Sequence, residues 1–221
     1  MKKVAILWTG GLDSTYLIIK NLLLGNTIYL YYVDIVNNKD NMKAEDTARN
    51  KLLKDIKKIC NNIDIKGIIS NNVEKLISIE LLQGQDYPFP QVPLFFPAVL
   101  SLIFSFDEIQ LGYVYNDYEC VKEFTTNLQN IYKNYIDLSL IKGSYDNNIA
   151  ELKFPLIEVT KQEEILFFER LDSKYKTHFL KNIIHCEDVK SIKGTLSNCN
   201  ECNACHNYNI AYNSLNKKRG K

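Results

Sequence analysis

The residues from Thr9 to Thr15 have the types and spacing of an anion-binding loop. They follow a short apolar run, residues 4–8, which is typical of a buried strand. Gly10 and Gly11 permit backbone angles and a close ligand approach that a Cβ atom would block. Helix-capping residues come next, and the free N–H groups at a helix N-terminus bind phosphate. The segment therefore predicts a strand, a nucleotide phosphate loop and a helix.

The side chains of this loop add further donors and a metal ligand. The hydroxyls of Thr9 and Ser14 can donate to phosphate oxygens, and Asp13 can hold Mg²⁺ beside them. The loop has neither the G-x-x-x-x-G-K-S/T nor the G-x-G-x-x-G pattern, so an ordinary strand–helix turn is the alternative. The predicted nucleotide contacts are Thr9, Gly10, Gly11, Leu12, Asp13, Ser14 and Thr15.

Four cysteines near the end of the sequence have metal-ligand spacing: Cys186, Cys199, Cys202 and Cys205. Four thiolates are a common ligand set of structural Zn²⁺, and they leave no open position for catalysis. Metal binding would order a segment that is too poor in apolar residues to fold alone. We therefore predict a structural zinc knuckle.

Two alternatives to this ligand set remain at the level of the sequence. The C-x-x-C-x-x-C run resembles part of a ferredoxin-type iron–sulfur motif, although its fourth cysteine lies upstream and no proline follows. His185 or His206 could also replace one cysteine as a ligand. Cys60 falls on the apolar face of a predicted helix and is expected in the core.

The periodicity along the chain predicts an α/β fold with a doubly wound, mostly parallel sheet. Ligands bind such sheets beyond the carboxyl ends of the strands, where the phosphate loop and Asp34 are expected. We expect residues 1–180 to form the main domain and residues 181–221 the knuckle with a final helix, packed as one unit. The predicted strands are 4–8, 28–36, 63–69, 108–115 and 149–159, and the predicted helices are 42–60, 73–82, 94–106, 121–135 and 161–171.

Composition and charge exclude several classes of function. The net charge of +1 indicates no global attraction to nucleic acid. The most apolar stretch, residues 94–106, contains Pro97 and falls short of the roughly 20 residues that span a bilayer. A strand that starts at residue 4 leaves no room for a signal peptide, so we expect a cytoplasmic protein with reduced thiols.

The loop resembles the S-G-G-x-D-S signature of the PP-loop ATP pyrophosphatases, which have a HUP-like α/β fold. Together with the cysteines, it resembles the 7-cyano-7-deazaguanine synthase (QueC) family in particular. The segment from Pro155 to Glu163 is similar to the P-L-x-x-x-T-K-x-E segment of that family, and Glu45 and Ala48 fit its second-helix pattern. The resemblance implies that Lys161 lies near the ATP phosphates, and it implies a homodimer.

The resemblance also implies a reaction and its cofactors. ATP, with Mg²⁺, would adenylate the carboxylate of 7-carboxy-7-deazaguanine, and ammonia would attack to give an amide. A second activation would dehydrate the amide to the nitrile preQ0, the queuosine precursor. Asp13 and Lys161 would act in catalysis, Asp34 and Lys161 would join the nucleotide contacts, and Zn²⁺ would be structural.

The middle of the chain departs from the family pattern. The family has V-P-A-R-N where this chain has Val92-Pro93-Leu94-Phe95-Phe96, so an arginine and an asparagine are replaced by apolar residues. The loop that reads the deazaguanine is shorter and lacks Ser-Gly-Tyr-Pro. The candidate substrate contacts are Tyr113, Asp117, Glu119 and Glu123.

Other functions follow from this divergence. A diverged, defence-associated member could stop at the amide and use a protein amine as the nucleophile. A tRNA-modifying PP-loop enzyme is expected to have a basic surface. The near-neutral net charge of this chain, +1, therefore disfavours that class. A nucleotide sensor without turnover is the non-enzymatic alternative.

Overall fold

The computed structural model describes residues 1–36, 39–62, 65–80, 92–115, 121–138, 149–192 and 195–219. Five strands form a parallel sheet in the order β3-β2-β1-β4-β5, and two more pair in an antiparallel ribbon. The strands are β1 (Lys3–Leu7), β2 (Thr27–Val36), β3 (Ile68–Glu80), β4 (Glu108–Gln110), β5 (Glu151–Lys153), β6 (Lys190–Ile192) and β7 (Thr195–Ser197).

Helices connect the parallel strands and cover both faces of the sheet. They are α1 (Leu12–Leu23), α2 (Lys39–Cys60), α3 (Val92–Ser101), α4 (Val121–Leu138), α5 (Lys161–Tyr175), α6 (Phe179–Asn182) and α7 (Asn203–Arg219). None of the helices in the described ranges is long and apolar enough to cross a membrane.

The alternation of side chains along β1 creates two cores. Val4, Ile6 and Trp8 pack on the face that α1, α2, α5 and α7 cover, while Ala5 and Leu7 pack on the face that α3 and α4 cover. All five of these side chains are at most 5% exposed, as expected for a central parallel strand. The α/β architecture, with a mostly parallel sheet and a C-terminal four-cysteine cluster, confirms the predicted fold class.

Several predicted elements have different bounds or a different type. The helix predicted over 73–82 is wrong over its described part, because residues 73–80 continue β3, which starts at Ile68 rather than at residue 63 and pairs with β2; residues 81 and 82 lie outside the described ranges. The strands predicted over 108–115 and 149–159 shrink to three residues each, β4 and β5. The helix predicted over 94–106 ends at Ser101, and most of the predicted loop 83–93 lies outside the described residues.

A polar network lies at the opposite edge of the sheet from the phosphate loop. The Glu108 carboxylate, on the first residue of β4, accepts hydrogen bonds from Lys2 (2.5 Å), Lys153 (2.8 Å) and Gln110 (2.6 Å). Asn21 of α1 donates to Gln110 at 2.8 Å. Burial by itself raises the pKa of Glu108, but these hydrogen bonds outweigh it and lower that pKa to about 2. Glu108 is therefore held as a carboxylate.

Candidate nucleotide and metal sites

A buried hydrogen bond joins the two ends of the loop between β1 and α1. The indole N–H of Trp8 donates to Thr15 Oγ1 at 3.0 Å in the buried core. Gly10 has a φ of +89°, in the left-handed region that favours glycine. Gly11 is the extended N-cap residue of α1, and no side chain caps the helix there. The first N–H groups of α1 therefore receive no side-chain cap, and such groups are the ones that bind anions at helix N-termini.

Three successive carbonyl oxygens of the loop are engaged by donors of the fold. Thr9 O accepts from Arg49 Nη1 at 3.3 Å, and Gly10 O accepts from the Ile184 N–H at 3.2 Å. Gly11 O accepts from the Thr15 N–H at 3.2 Å. Carbonyl oxygens repel an anion, so their engagement by these donors favours a loop that binds one.

The hydroxyls predicted as donors lie on one side of this loop. Thr9 Oγ1 and Ser14 Oγ are 3.5 Å apart, and Thr9 Oγ1 accepts from the Gly11 N–H at 3.3 Å. Ser14 and Thr15 are buried, whereas Thr9 and Asp13 are half-buried. Thr9 and Asp13 are thus the more accessible polar side chains of this segment.

Lys161, from the second half of the chain, meets Asp13 at the start of α1. Its ammonium donates to the Asp13 carboxylate, and the two side chains are 11% and 19% exposed. A capping box places Lys161: Thr160 Oγ1 accepts from the Glu163 N–H at 3.3 Å, and the Glu163 carboxylate accepts from the Thr160 N–H at 2.8 Å. The two predicted catalytic residues are therefore in direct contact.

The first helix is also held from behind by Gly112, just after β4. A Cβ atom on Gly112 would lie 2.9 Å from the backbone nitrogen of Ser14 and 3.0 Å from the carbonyl carbon of Asp13. Only a residue without a side chain allows the chain after β4 to approach the first turn of α1 so closely. Gly112 thus fixes the position of Asp13.

Helix α2 contributes a charged group to the same edge of the sheet. Glu45 lies near Asp34, which forms an ion pair with Lys75 of β3 at 3.3 Å. Burial raises the pKa of Glu45 to about 7, Arg49 opposes the rise, and Asp46 and Asp34 add to it. Asp34 and the phosphate loop therefore flank the same end of α2.

The predicted substrate contacts are not assembled in the described structure. Tyr113 is 9% exposed and packs in the α3–α4 core, with its ring centroid 6.1 Å from that of Phe154. Glu123 is exposed on the first turn of α4. Asp117 and Glu119 lie outside the described residues. The role of these four residues stays a prediction.

The four predicted cysteine ligands come together at the C-terminal end of the chain. The sulfurs of Cys186, Cys199, Cys202 and Cys205 all lie within 4.8 Å of one another, and Cys199 Sγ is 4.0 Å from Cys205 Sγ. Four thiolates about 2.3 Å from one tetrahedral zinc would be about 3.8 Å apart. In a four-iron cluster each thiolate binds a different iron, which requires wider spacing. The sulfur positions therefore fit one ion.

Backbone N–H groups surround these sulfurs. Cys199 Sγ accepts from the N–H groups of Cys202 (3.2 Å) and Glu201 (3.3 Å), and Cys186 Sγ accepts from the Cys199 N–H (3.2 Å). The N–H donors to Cys199 lower the pKa of its thiol to about 7, whereas burial raises the pKa of the Cys186 and Cys205 thiols. Asn200, with a φ of +64°, makes the tight turn of the knuckle.

His185 is turned toward other partners than the cysteines. Its ring stacks on Tyr208 with centroids 3.9 Å apart, and the Asn198 amide nitrogen lies 3.2 Å from its Nε2. Burial, and secondarily the charge of Lys161, lowers the pKa of His185 to about 4. His185 is thus a neutral residue between the cysteine cluster and the phosphate loop, and neither His185 nor His206 joins the metal-ligand group found among the described residues.

Comparisons with known proteins add a distant structural likeness. No protein-family profile matches the chain, and no curated protein matches it. Among solved structures, it is similar to the U34-tRNA thiolase NcsA from Methanococcus maripaludis with its 4Fe-4S cluster. The two are 14% identical over 99% of this chain and 67% of that chain, with a TM-score of 0.44. A likeness this remote carries no conclusion about the chemistry of this chain.

Three residues of the site carry no signal in the sequence. Arg49 and Ile184 bind loop carbonyls, and Gly112 supports the first turn of α1. Each is distant in sequence from the loop, so only the folded chain brings it there.

Proposed function

We propose that this protein is a PP-loop ATP pyrophosphatase that resembles the QueC family and adenylates the carboxylate of 7-carboxy-7-deazaguanine. One observation carries the proposal: Lys161 at the start of α5 contacts Asp13 at the start of α1. Two helix N-termini, a lysine and a carboxylate thus converge at the glycine loop. This combination suits a Mg²⁺-bound polyphosphate, because it offers cationic groups to the phosphates and an oxygen ligand to the metal.

In the proposed reaction, the phosphates of ATP lie on the loop N–H groups and on the hydroxyls of Thr9 and Ser14. Lys161 exchanges Asp13 for the β- and γ-phosphates, and Asp13 is freed to hold Mg²⁺, which neutralises phosphate charge when bound. An oxygen of the substrate carboxylate attacks the α-phosphorus, and pyrophosphate leaves with its electron pair. The donors that hold pyrophosphate stabilise the charge that develops on it.

An amine then attacks the acyl adenylate, and AMP leaves. Ammonia would give an amide on the path to preQ0. A protein amine would instead give a stable conjugate, and the α3 region favours this second candidate. Phe95, which stands where the family pattern has arginine, is 6% exposed and packs in the α3–α4 core. A buried phenyl ring cannot orient the amide for dehydration as a charged guanidinium can.

The cysteine cluster fits a structural role in this proposal. Cys186, Cys199, Cys202 and Cys205 would hold one Zn²⁺, and four thiolates leave no position for substrate. The ion would order the segment that also supplies Ile184 to the loop. No step of the proposed reaction passes through it.

The test combines pyrophosphate release with mass spectrometry of the products. With ATP, 7-carboxy-7-deazaguanine and ammonium, we expect substrate-dependent pyrophosphate release, and the product mass distinguishes amide from nitrile. A base-sized adduct on protein, without nitrile, would identify the conjugating alternative. Asp13→Asn and Lys161→Met should each lower the rate about 100- to 1,000-fold, as expected when one charge-stabilising group is lost.

Lys51→Met provides the matched control, because Lys51 is exposed on α2 and its loss should leave the rate unchanged. All variants should keep the far-UV circular dichroism of the parent protein. Full pyrophosphate release by folded Asp13→Asn would overturn the proposed role of the loop. An absence of carboxylate-dependent release from the parent protein would overturn the substrate.

A further inference from the structure

We propose that Arg49 is a positioning residue that sets the orientation of the phosphate loop. The inference rests on the proposed binding of nucleotide at that loop. Arg49 lies on α2, is only 5% exposed, and donates from Nη1 to Thr9 O at 3.3 Å. Its aliphatic stem fills the space behind the loop, since a Cβ atom on Gly10 would lie 3.3 Å from Arg49 Cγ.

The guanidinium of Arg49 is held by three further groups. It lies 3.4 Å from a Glu45 carboxylate oxygen, contacts the Asp46 carboxylate, and stacks 4.3 Å from the ring centroid of Tyr32 on β2. A planar guanidinium with this many partners keeps its donors in fixed directions. Arg49 therefore presents Nη1 to Thr9 O as a rigid donor.

The fixed carbonyl of Thr9 determines where the next N–H group points. The C=O and N–H of a trans peptide point in opposite directions, so a Thr9 C=O turned toward α2 directs the Gly10 N–H away from α2. The left-handed φ of Gly10, +89°, lets the chain then turn into α1. If the Thr9–Gly10 peptide rotated, it would present an oxygen instead of an N–H to a phosphate. Arg49 opposes that rotation.

The surroundings of Arg49 indicate that it acts through the loop rather than as a phosphate ligand. Two carboxylates, Glu45 and Asp46, balance its charge, and its side chain is buried. A phosphate would need an accessible guanidinium. Because a lysine has a single ammonium and no planar fork, it should replace the contact to Thr9 O only in part.

The experiment measures the affinities of ATP, pyrophosphate and adenosine by calorimetry for the parent protein, Arg49→Met and Arg49→Lys. Arg170→Met is the control, because Arg170 is exposed on α5. We expect Arg49→Met to bind ATP and pyrophosphate about 10- to 100-fold more weakly, the loss typical of a charge-assisted hydrogen bond. Adenosine affinity should not change, and Arg49→Lys should recover part of the loss.

Each alternative outcome has a definite meaning. Parent-like ATP and pyrophosphate affinity in folded Arg49→Met would overturn the inference. An equal loss for all three ligands would also overturn it, because it would show a general structural role. If Arg49→Met fails to fold, the same comparison in Arg49→Lys decides. A parent protein that binds none of the ligands would overturn the proposed function as well, whereas parent binding with unaffected variants would overturn this inference alone.

Discussion

At the scale of single residues, Gly112 packs closely against the backbone of Asp13 and Ser14 in the candidate nucleotide site. We expect Gly112→Ala to lower the free energy of unfolding by about 1–3 kcal/mol, the usual cost of overpacking. The added Cβ would meet backbone atoms of Asp13 and Ser14, which cannot swing aside as a flexible side chain can. The start of α1 must therefore shift, and ATP affinity should fall as well. Chemical denaturation and calorimetry measure the two effects.

Gly67→Ala is the matched control for this prediction. Its Cβ would lie 2.6 Å from Leu22, near the other end of α1 and away from the loop. Gly67→Ala should lower stability in the same way and leave ATP affinity intact. Equal ATP affinity in Gly112→Ala and Gly67→Ala would contradict the role assigned to Gly112.

The residues found from the sequence differ in kind from those that it could not reveal. The glycine loop, Asp13 and the cysteines have local spacing that reflects their chemistry, so they could be named before the fold was known. Arg49 and Gly112 act through contacts with distant backbone, and their own neighbours in sequence are compatible with any helix or turn. The predicted pairing of Lys161 with the loop depended on family resemblance, and the fold places Lys161 against Asp13.

At the scale of elements, a hydrogen bond connects the segment beside the cysteine knuckle to the phosphate loop. Ile184, whose N–H binds Gly10 O, is two residues from Cys186. Removing the metal should release this segment, because metal binding provides much of the order in such knuckles. We expect Cys202→Ser to lose the metal and to bind ATP about tenfold more weakly, the loss that corresponds to one engaged hydrogen bond.

The single tryptophan of the chain, Trp8, reports on this link. Its indole donates to Thr15 across the loop, so its emission should change when the loop loosens. Cys60→Ser is the control, because Cys60 is outside the cluster and should leave metal content, emission and ATP affinity unchanged. Parent-like emission and affinity in metal-free, folded Cys202→Ser would refute the coupling.

β3 is the element whose type the sequence pattern predicts wrongly, as a helix instead of a strand. Val73, Leu76 and Ile77 have a spacing that fits one face of a helix, yet they belong to a strand that pairs in parallel with β2. The register shifts between Ile28 and Leu30, and again between Tyr32 and Val33, so the strand does not show strict alternation. Short segments with this ambiguity are decided by their partner strand, which no local pattern contains.

At the scale of the whole molecule, stability should depend on pH through Glu108. The pKa of Glu108 is about 2 in the folded state and 4.5 in the unfolded chain, so folding stabilises the ionised form of this side chain. The contribution, on the order of 3 kcal/mol, is fully present above pH 4.5 and is lost as pH falls toward 2. Denaturation measured between pH 7 and pH 2.5 should show this loss in the parent protein.

Glu108→Gln should remove most of that dependence and lower stability at neutral pH, since Lys2 and Lys153 lose their buried partner. Glu151→Gln is the matched control: Glu151 also binds Lys153, at 2.7 Å, but its side chain is 66% exposed. An exposed pair contributes little, so Glu151→Gln should keep the parent profile. Identical acid profiles for Glu108→Gln and the parent would contradict the assignment.

The hydrogen bond from Ile184 to Gly10 has a consequence for folding during synthesis. Gly10 leaves the ribosome well before its partner Ile184, which lies far downstream in the chain. A nascent chain therefore carries the glycine loop long before it carries the residue that holds the Gly10 carbonyl. The phosphate loop reaches its final arrangement only after the knuckle segment has been synthesised and has packed against it. A partly synthesised chain therefore has no complete nucleotide site.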